Sequence, residues 1–231
     1  MQTDNLATDQ PKANATRLET FSDGVFAFSA TLLVVSLEVP NSFPELLEDL
    51  RGFIGFGLRF GVLLSLWSVH HAYFRRYDIA DTKTIVLNAC LLFVILFYIY
   101  PLKFMSEGIV GFFAGSNSSM GMTGPDDLSL IFMLYSGGFV AIFLFVALMY
   151  RHAYSKRVML NLSLIQEKEA AFYARHYAIL ATVGVFSVIM AALQIGIRIG
   201  APGYVYMILG PLCYWHGRRH TQSIQALTSA K

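Results

Sequence analysis

Charged residues and cysteines are both scarce in this sequence. Charged side chains occupy 14% of the 231 positions, and 17 basic against 15 acidic residues leave a net charge of only +2. So small an excess does not indicate a nucleic-acid partner. The two cysteines, Cys90 and Cys213, lie in apolar segments. We interpret them as small packing residues and expect neither a disulfide nor a metal site.

Three recognisable sequence features are also missing. No glycine-rich phosphate-binding loop is present, which argues against an ATP-driven pump. No internal repeat is visible, because the Phe-Ser-Asp triplet at 21–23 has no later counterpart. A pore on a symmetry axis therefore requires several subunits. The first sixteen residues lack the apolar run of a signal peptide, so we expect residues 1–16 to form a disordered cytoplasmic tail.

Hydrophobic residues are what the sequence has in abundance. They make up 55% of the chain, which includes 19 Phe and 12 Tyr, as expected of a protein with several membrane spans. A membrane helix needs about 20 mainly apolar residues. We predict an all-α membrane domain over residues 17–220 and a cytoplasmic tail over 221–231. The six predicted helices are Arg17–Val39, Leu50–Phe74, Thr84–Phe104, Leu128–Tyr150, Phe172–Ile197 and Gly203–Trp215.

Proline and glycine mark the predicted breaks between these helices. Pro40 stops the first helix and Pro101 lies at the end of the third, since proline interrupts helical hydrogen bonding. The Gly- and Ser-rich segment Ser106–Asp127 is expected to be an exposed loop.

The basic residues are distributed unevenly between the two sides of the predicted membrane domain. With both termini in the cytoplasm, the opposite side keeps only Arg51, Lys103 and Arg198, while Arg59 falls inside the second helix. Basic residues favour the cytoplasmic side of a membrane protein. The sequence therefore predicts a multi-pass protein of the cell membrane with both termini cytoplasmic.

The first helix contains a polar pair, Ser22 and Asp23, at the start of its apolar run. A carboxylate inside a membrane span is costly unless it has partners. Because neighbouring helices alternate in direction, polar residues of the second and third helices lie at the same depth. The predicted polar network consists of Arg17, Ser22, Asp23, Trp67, His70, His71 and Asn88.

Several roles remain open for this network. It can be a structural attachment of the first helix, or a proton relay and pH switch built on Asp23 and a histidine. Hydrolysis by Ser22 is a third interpretation. Adjacent residues diverge by about 100° around a helix, which disfavours a shared catalytic partner for Ser22 and Asp23.

An apolar stripe runs along the opposite face of the first helix. On a helical wheel of about 100° per residue, Leu32 lies about 40° and Val35 about 20° from Phe28, whereas Asp23 and Ser22 lie beyond about 120°. Periodicity alone leaves open whether the stripe faces lipid, another helix or a pore.

Four residues of the first helix carry a family resemblance. Arg17, Phe21, Ser22 and Asp23 match the pattern R-x-x-x-F-S-D. Together with the chain length, the six predicted spans and the predicted topology, this pattern resembles the endolysosomal potassium-channel family in its single-repeat prokaryotic branch. The resemblance covers about residues 17–220.

The resemblance implies a homotetramer whose first helices line a central pore. It implies a constriction of apolar side chains with a polar layer beside it. The positions concerned are Phe28, Leu32 and Val35 for the constriction and Thr31 for the polar layer. Separately, the acidic segment after the first helix leads us to expect Glu38 at the outer mouth, where it could concentrate cations. The family commonly has Ile or Leu where Phe28 stands. No Thr-Val-Gly-Tyr-Gly segment occurs, so we expect no re-entrant carbonyl filter.

These observations predict a membrane channel and not an enzyme. Potassium or another monovalent cation is the expected permeant ion, passing passively and with strong or weak selectivity. The lipid bilayer and other copies of the chain are the expected partners, and no cofactor is expected. The alternative is a proton-coupled secondary cation transporter that uses Asp23 and a histidine; a scaffold without a transport role is a further class.

Overall fold

The computed structural model describes residues 4–35, 42–113 and 124–228, and regular structure within these ranges is entirely helical. The all-α prediction is therefore confirmed. The helices are α1 (Asp4–Val35), α2 (Phe43–Phe74), α3 (Thr82–Phe113), α4 (Pro125–Ser155), α5 (Leu164–Ala192), α6 (Ala201–Tyr204) and α7 (Leu209–Thr228). Each of α1 to α5 contains a stretch long and apolar enough to cross a membrane. The chain divides into two compact units, Met1–Thr123 and Gly124–Lys231.

The first unit consists of α1, α2 and α3. Its buried apolar side chains come from all three helices and include Phe26, Leu33, Leu63, Leu91 and Ile95. Asp81 caps the N-terminus of α3, because its side-chain oxygen accepts hydrogen bonds from the backbone N–H and the hydroxyl of Thr84 at 2.9 and 2.8 Å.

The chain before Arg17 differs from the prediction. We expected residues 1–16 to be disordered, but α1 begins at Asp4 and runs without a break into the membrane span. Ala15 is buried, so packing extends beyond the predicted start of the helix. Glu38, predicted at the outer mouth, lies outside the described residues.

Helix α3 also exceeds its predicted length. It continues through Pro101 to Phe113, so the part of the predicted loop from 106 to 113 is helical. Residues 125–127 of that loop form the first turn of α4, and 114–123 lie outside the described residues. A proline within a membrane span is tolerated where neighbouring helices satisfy the freed backbone groups.

A buried arginine contacts the extension of α3. The Arg59 Nη1 group of α2 donates a hydrogen bond to Ser106 Oγ at 3.0 Å, and Ser106 Oγ in turn donates to the Lys103 carbonyl at 2.8 Å. Both side chains are buried. This contact attaches the residues beyond Pro101 to α2.

The second unit is built on an antiparallel pair, α4 and α5. Ser129 and Ser136 of α4 meet Ala191 and Ser187 of α5, so positions rise along one helix as they fall along the other. The pair packs closely at Gly184, where an added Cβ would lie 2.7 Å from Cγ2 of Val140.

The predicted sixth span is not a single helix. In place of Gly203–Trp215 the chain forms a 3₁₀ turn at Ile197–Ile199, the one-turn helix α6, a second 3₁₀ turn at Val205–Ile208, and α7. Gly196 and Gly200 adopt left-handed backbone angles, with φ of 63° and 72°, which end any helix that reaches them. Helix α7 also continues through most of the predicted tail at 221–231.

Candidate functional site

A buried hydrogen-bonded chain joins α1, α2 and α3. Asn88 Nδ2 donates to Ser22 Oγ at 2.9 Å, and Asn88 Oδ1 lies 2.8 Å from His70 Nε2. Ser22 uses its own proton on the Leu18 carbonyl at 2.8 Å, so it accepts from Asn88. With its amide nitrogen donating, Asn88 offers its carbonyl oxygen to His70, whose Nε2 must therefore carry a proton. The three helices are thus joined by hydrogen bonds that all run in one direction, from His70 through Asn88 and Ser22 to the Leu18 carbonyl.

A second, half-buried pair of contacts lies beside this chain. The Trp67 indole N–H donates to Asp23 Oδ1 at 2.8 Å. His71 Nδ1 lies 2.9 Å from Glu19 Oε1, and the Trp67 and His71 rings stack at 5.2 Å with 14° between their planes. A carboxylate accepts, so Nδ1 is the protonated nitrogen of His71. Asp23 and Glu19 of α1 therefore each have their own partner on α2.

This arrangement separates the predicted network into parts. Asp23 is paired with Trp67, while the two histidines contact Asn88 and Glu19, so the hydrogen bond that an Asp23–histidine relay needs is not made. Ser22 is fully buried, and its hydroxyl already donates to the Leu18 carbonyl and accepts from Asn88, which leaves no access for a substrate. Arg17 is exposed and takes no part in these hydrogen bonds.

Burial divides α1 into two faces. Ser22, Phe26, Ser29 and Leu33 are buried at intervals of four, three and four residues, which is one side of a helix. On the other side, Phe28 is 57% and Val35 is 71% exposed, Gly24 and Thr31 are exposed, and Leu32 is half-buried. The stripe predicted from the wheel is therefore left uncovered by α2 and α3.

Thr31 has a defined hydroxyl orientation within the exposed face. Its Oγ1 donates to the Ala27 carbonyl at 3.0 Å, one turn earlier in α1. The lone pairs of the hydroxyl oxygen remain available away from the helix axis. Thr31 therefore presents an oxygen ligand on an otherwise apolar surface.

Two contacts of the first unit were not predicted from the sequence. Glu19 lies four residues before Asp23 on the same helical face, so the sequence already indicated a second carboxylate near the network. Its pairing with His71 could not be predicted, because that contact depends on how α1 and α2 are rotated about their axes. The Arg59–Ser106 contact was hidden because Ser106 was assigned to a loop. Arg59 itself was already conspicuous as a charge inside a membrane span.

The helices, the buried polar network and the apolar spans define a multi-pass helical membrane protein. The family described as endosomal/lysosomal potassium channel TMEM175 matches residues 17–98. A solved structure of a variant of the potassium channel MtTMEM175, crystallised with a nanobody–MBP fusion, superposes with a TM-score of 0.79 at 31% identity, covering 89% of this chain and 93% of that one. The chain belongs to the TMEM175 family.

Two other comparisons agree with this membership. A potassium channel of Marivirga tractuosa is 39% identical over 155 residues, which cover 64% of this chain and 63% of the relative. The match thus spans less than two thirds of that relative's length. A potassium-selective TMEM175 homologue from Chamaesiphon minutus is 22% identical with a TM-score of 0.52, covering 85% of this chain and 98% of that one, and shows a shared fold.

Proposed function

We propose that this chain is a subunit of a potassium channel that conducts passively down the electrochemical gradient. The observation that carries the proposal is the uncovered stripe of α1, which lies opposite the face that contacts α2 and α3. The relative from Marivirga tractuosa and the similar MtTMEM175 structure both carry the name potassium channel, which supports the same conclusion. The protein is then a transport protein and has no catalytic site.

In this proposal four copies of α1 surround an axial pathway in a homotetramer. Phe28, Leu32 and Val35 form the narrow apolar part, which gates by losing and regaining water. Thr31 contributes hydroxyl oxygens beside it and replaces part of the hydration shell of a cation. Glu38 concentrates cations at the outer mouth.

The polar network has a positioning role in the same proposal. The bonds of Ser22 to Asn88 and of Asp23 to Trp67 fix the rotation of α1 about its axis, because both act on the side away from the stripe. A rotation that breaks these bonds moves Phe28 and Val35 relative to the pathway. Gating by small rotations of α1 therefore costs hydrogen-bond energy at the inner end of the helix.

The proposed location is the cell membrane, with both termini in the cytoplasm. The basic residues at the ends of α2 and α4 and within α7 are then on the cytoplasmic side, as the positive-inside rule requires. Potassium or another monovalent cation is the permeant species, and the subunits need no resident cofactor for passive conduction.

Two neighbouring valines of α1 provide a matched test of the stripe. Val35 lies on it, and Val34, which is 53% exposed, lies about 100° away around the helix. In planar bilayers containing the purified protein, Val35→Ala should change unitary conductance or the potassium-to-sodium permeability ratio at least about twofold, because it widens an apolar constriction. Val34→Ala should leave both quantities unchanged.

The same recordings distinguish the proposal from its competitors. Discrete currents that reverse near the potassium equilibrium potential support a channel, and a native mass of four subunits supports the tetramer. Equal effects of the two valine substitutions would remove the stripe from the pathway. Saturable cation–proton exchange without unitary currents would replace the channel with a coupled transporter.

A further inference from the structure

A phenylalanine of α5 stacks on two histidines of α7. The ring of Phe172 is buried. It lies 4.6 Å from the His216 ring with 11° between the planes, and 4.1 Å from the His220 ring with 13°. His216 and His220 are one helical turn apart, so their side chains share a face of α7. The phenylalanine is thus stacked on two imidazole rings.

A third histidine extends this stack. The His176 ring, one turn after Phe172 on α5, is 5.6 Å from the Phe172 ring and 6.0 Å from the His216 ring, with angles of 28° and 18°. Within the part of the chain that the structure describes, His176 Nδ1 and His216 Nε2 are buried without a hydrogen-bond partner. These rings therefore pack as uncharged aromatic surfaces, since a buried imidazolium needs acceptors for both N–H groups.

The charges around the stack oppose protonation. Burial is the main cause that lowers the pKa of the His220 imidazole, and Glu169 raises it. The other groups that lower this pKa are His216, Arg175 and Lys168. Arg218 and Arg219 lie between His216 and His220 in the sequence of α7. Among these described groups the cations outnumber the one carboxylate, Glu169, so adding a proton to His220 increases the repulsion.

We propose that the stack of Phe172, His176, His216 and His220 is a pH-sensitive latch that holds α7 against α5 while His220 is neutral and releases it when His220 takes up a proton on acidification. The sign follows from linkage. A histidine whose pKa is lowered in the docked state stabilises docking above its free value of about 6.5, and this contribution is lost as the pH falls below it.

The release is confined to the C-terminal side of α6. Ser187 of α5 donates a hydrogen bond to the Pro202 carbonyl at 2.8 Å, and both residues are buried. This bond contains no titrating group between pH 5 and 8. The chain before α7 therefore stays attached to α5, and α7 can swing from a fixed point.

Spin-label mobility on α7 tests the latch in the full-length protein in lipid nanodiscs. A nitroxide is attached through Gln222→Cys, an exposed position of α7, with Cys90→Ser and Cys213→Ser removing the native thiols. As the pH falls from about 7.5 to about 5.5, the mobile fraction should rise at least about twofold. A label at Val158→Cys, in the exposed turn between α4 and α5, should report no change.

Two variants identify the groups responsible. His216→Gln/His220→Gln keeps side chains of comparable size but removes the titrating imidazole of His220, so label mobility should become independent of pH. If that double variant fails to fold, His220→Gln alone should shrink the pH response while retaining the wild-type elution volume. The latch is refuted if wild-type mobility is the same at both pH values, or if the response persists undiminished without these histidines.

Discussion

Helix α1 and the α4–α5 pair are held in different ways. Besides the buried side chains of Phe26 and Leu33, helix α1 contacts its neighbours through directed polar bonds near one end, with Ser22 bonded to Asn88 and Asp23 to Trp67. The α4–α5 pair is packed along its length, from Ser129 near one end to the Tyr150 and Tyr173 rings, 5.1 Å apart, near the other. Helix α1 thus adds a few directed polar bonds to one narrow buried face, whereas the α4–α5 pair has side-chain contacts from one end to the other.

The difference suits two separate tasks. Directed hydrogen bonds fix the rotation of a helix while leaving its opposite face free, and α1 keeps the exposed side chains of Phe28 and Val35 on that face. There is little hydrophobic driving force between helices in lipid, so the α4–α5 pair depends on close packing at small residues such as Gly184. Under the proposed function, α4 and α5 serve as scaffold and α1 is the helix whose orientation matters for conduction.

The largest expected effect comes from breaking the packed pair. In Gly184→Leu the new Cβ would lie 2.7 Å from Val140 Cγ2 and 3.0 Å from Phe139 Cδ1, so the helices must separate. We expect a loss of more than about 3 kcal/mol in the free energy of unfolding, at the upper end of overpacking effects. Thermal unfolding in detergent measures it. Gly137→Leu on α4, where a Cβ meets nothing within 4 Å, is the control and should unfold near the wild-type temperature.

An intermediate effect is expected from the attachment of α1. Asn88→Ala leaves the buried side chains of Ser22 and His70 without their partner, at a cost of about 1–3 kcal/mol in the free energy of unfolding. Ser68→Ala on α2 serves as the control, because that exposed hydroxyl bonds only to the Leu64 carbonyl of its own helix. If both variants unfold like wild type, α1 is held by apolar contacts and the contrast with α4–α5 disappears.

The smallest effect is expected within the packed pair itself. The Ser187 hydroxyl donates to the Pro202 carbonyl, so Ser136 is the donor in the 2.8 Å contact between Ser136 and Ser187. Ser136→Ala removes this one bond and should cost about 0.6 kcal/mol, the average for a hydrogen bond between membrane helices. Ser187→Ala removes two bonds and should cost more. Equal losses in the two variants would mean that the Pro202 bond contributes nothing measurable.

Depth along the helices was predictable from the sequence, and rotation about them was not. Counting residues from the predicted helix ends placed Ser22, Asn88 and the two histidines at one level of the membrane domain. Which histidine faces Asn88 depends on turning α2 by about 100°, because His70 and His71 are adjacent. Only the packed helices decide that His70 contacts Asn88 and His71 contacts Glu19.

Helix ends were less predictable where tertiary contacts override local preference. Pro101 normally marks a helix end, but α3 continues beyond it, and the Arg59–Ser106 bond joins the extension to α2. The broken region before α7 arises from the left-handed backbone of Gly196 and Gly200. Glycine content alone does not reveal which glycines take that conformation.

The placement of the two tryptophans gives each unit its own fluorophore. Trp67 is half-buried, donates to Asp23 and stacks on His71, whereas Trp215 on α7 is 62% exposed with the Arg219 guanidinium 4.5 Å above its ring. A half-buried indole emits at shorter wavelength than an exposed one. Intrinsic emission therefore separates into two signals without any added dye. One reports the contact of α1 with α2, and the other reports the surroundings of α7.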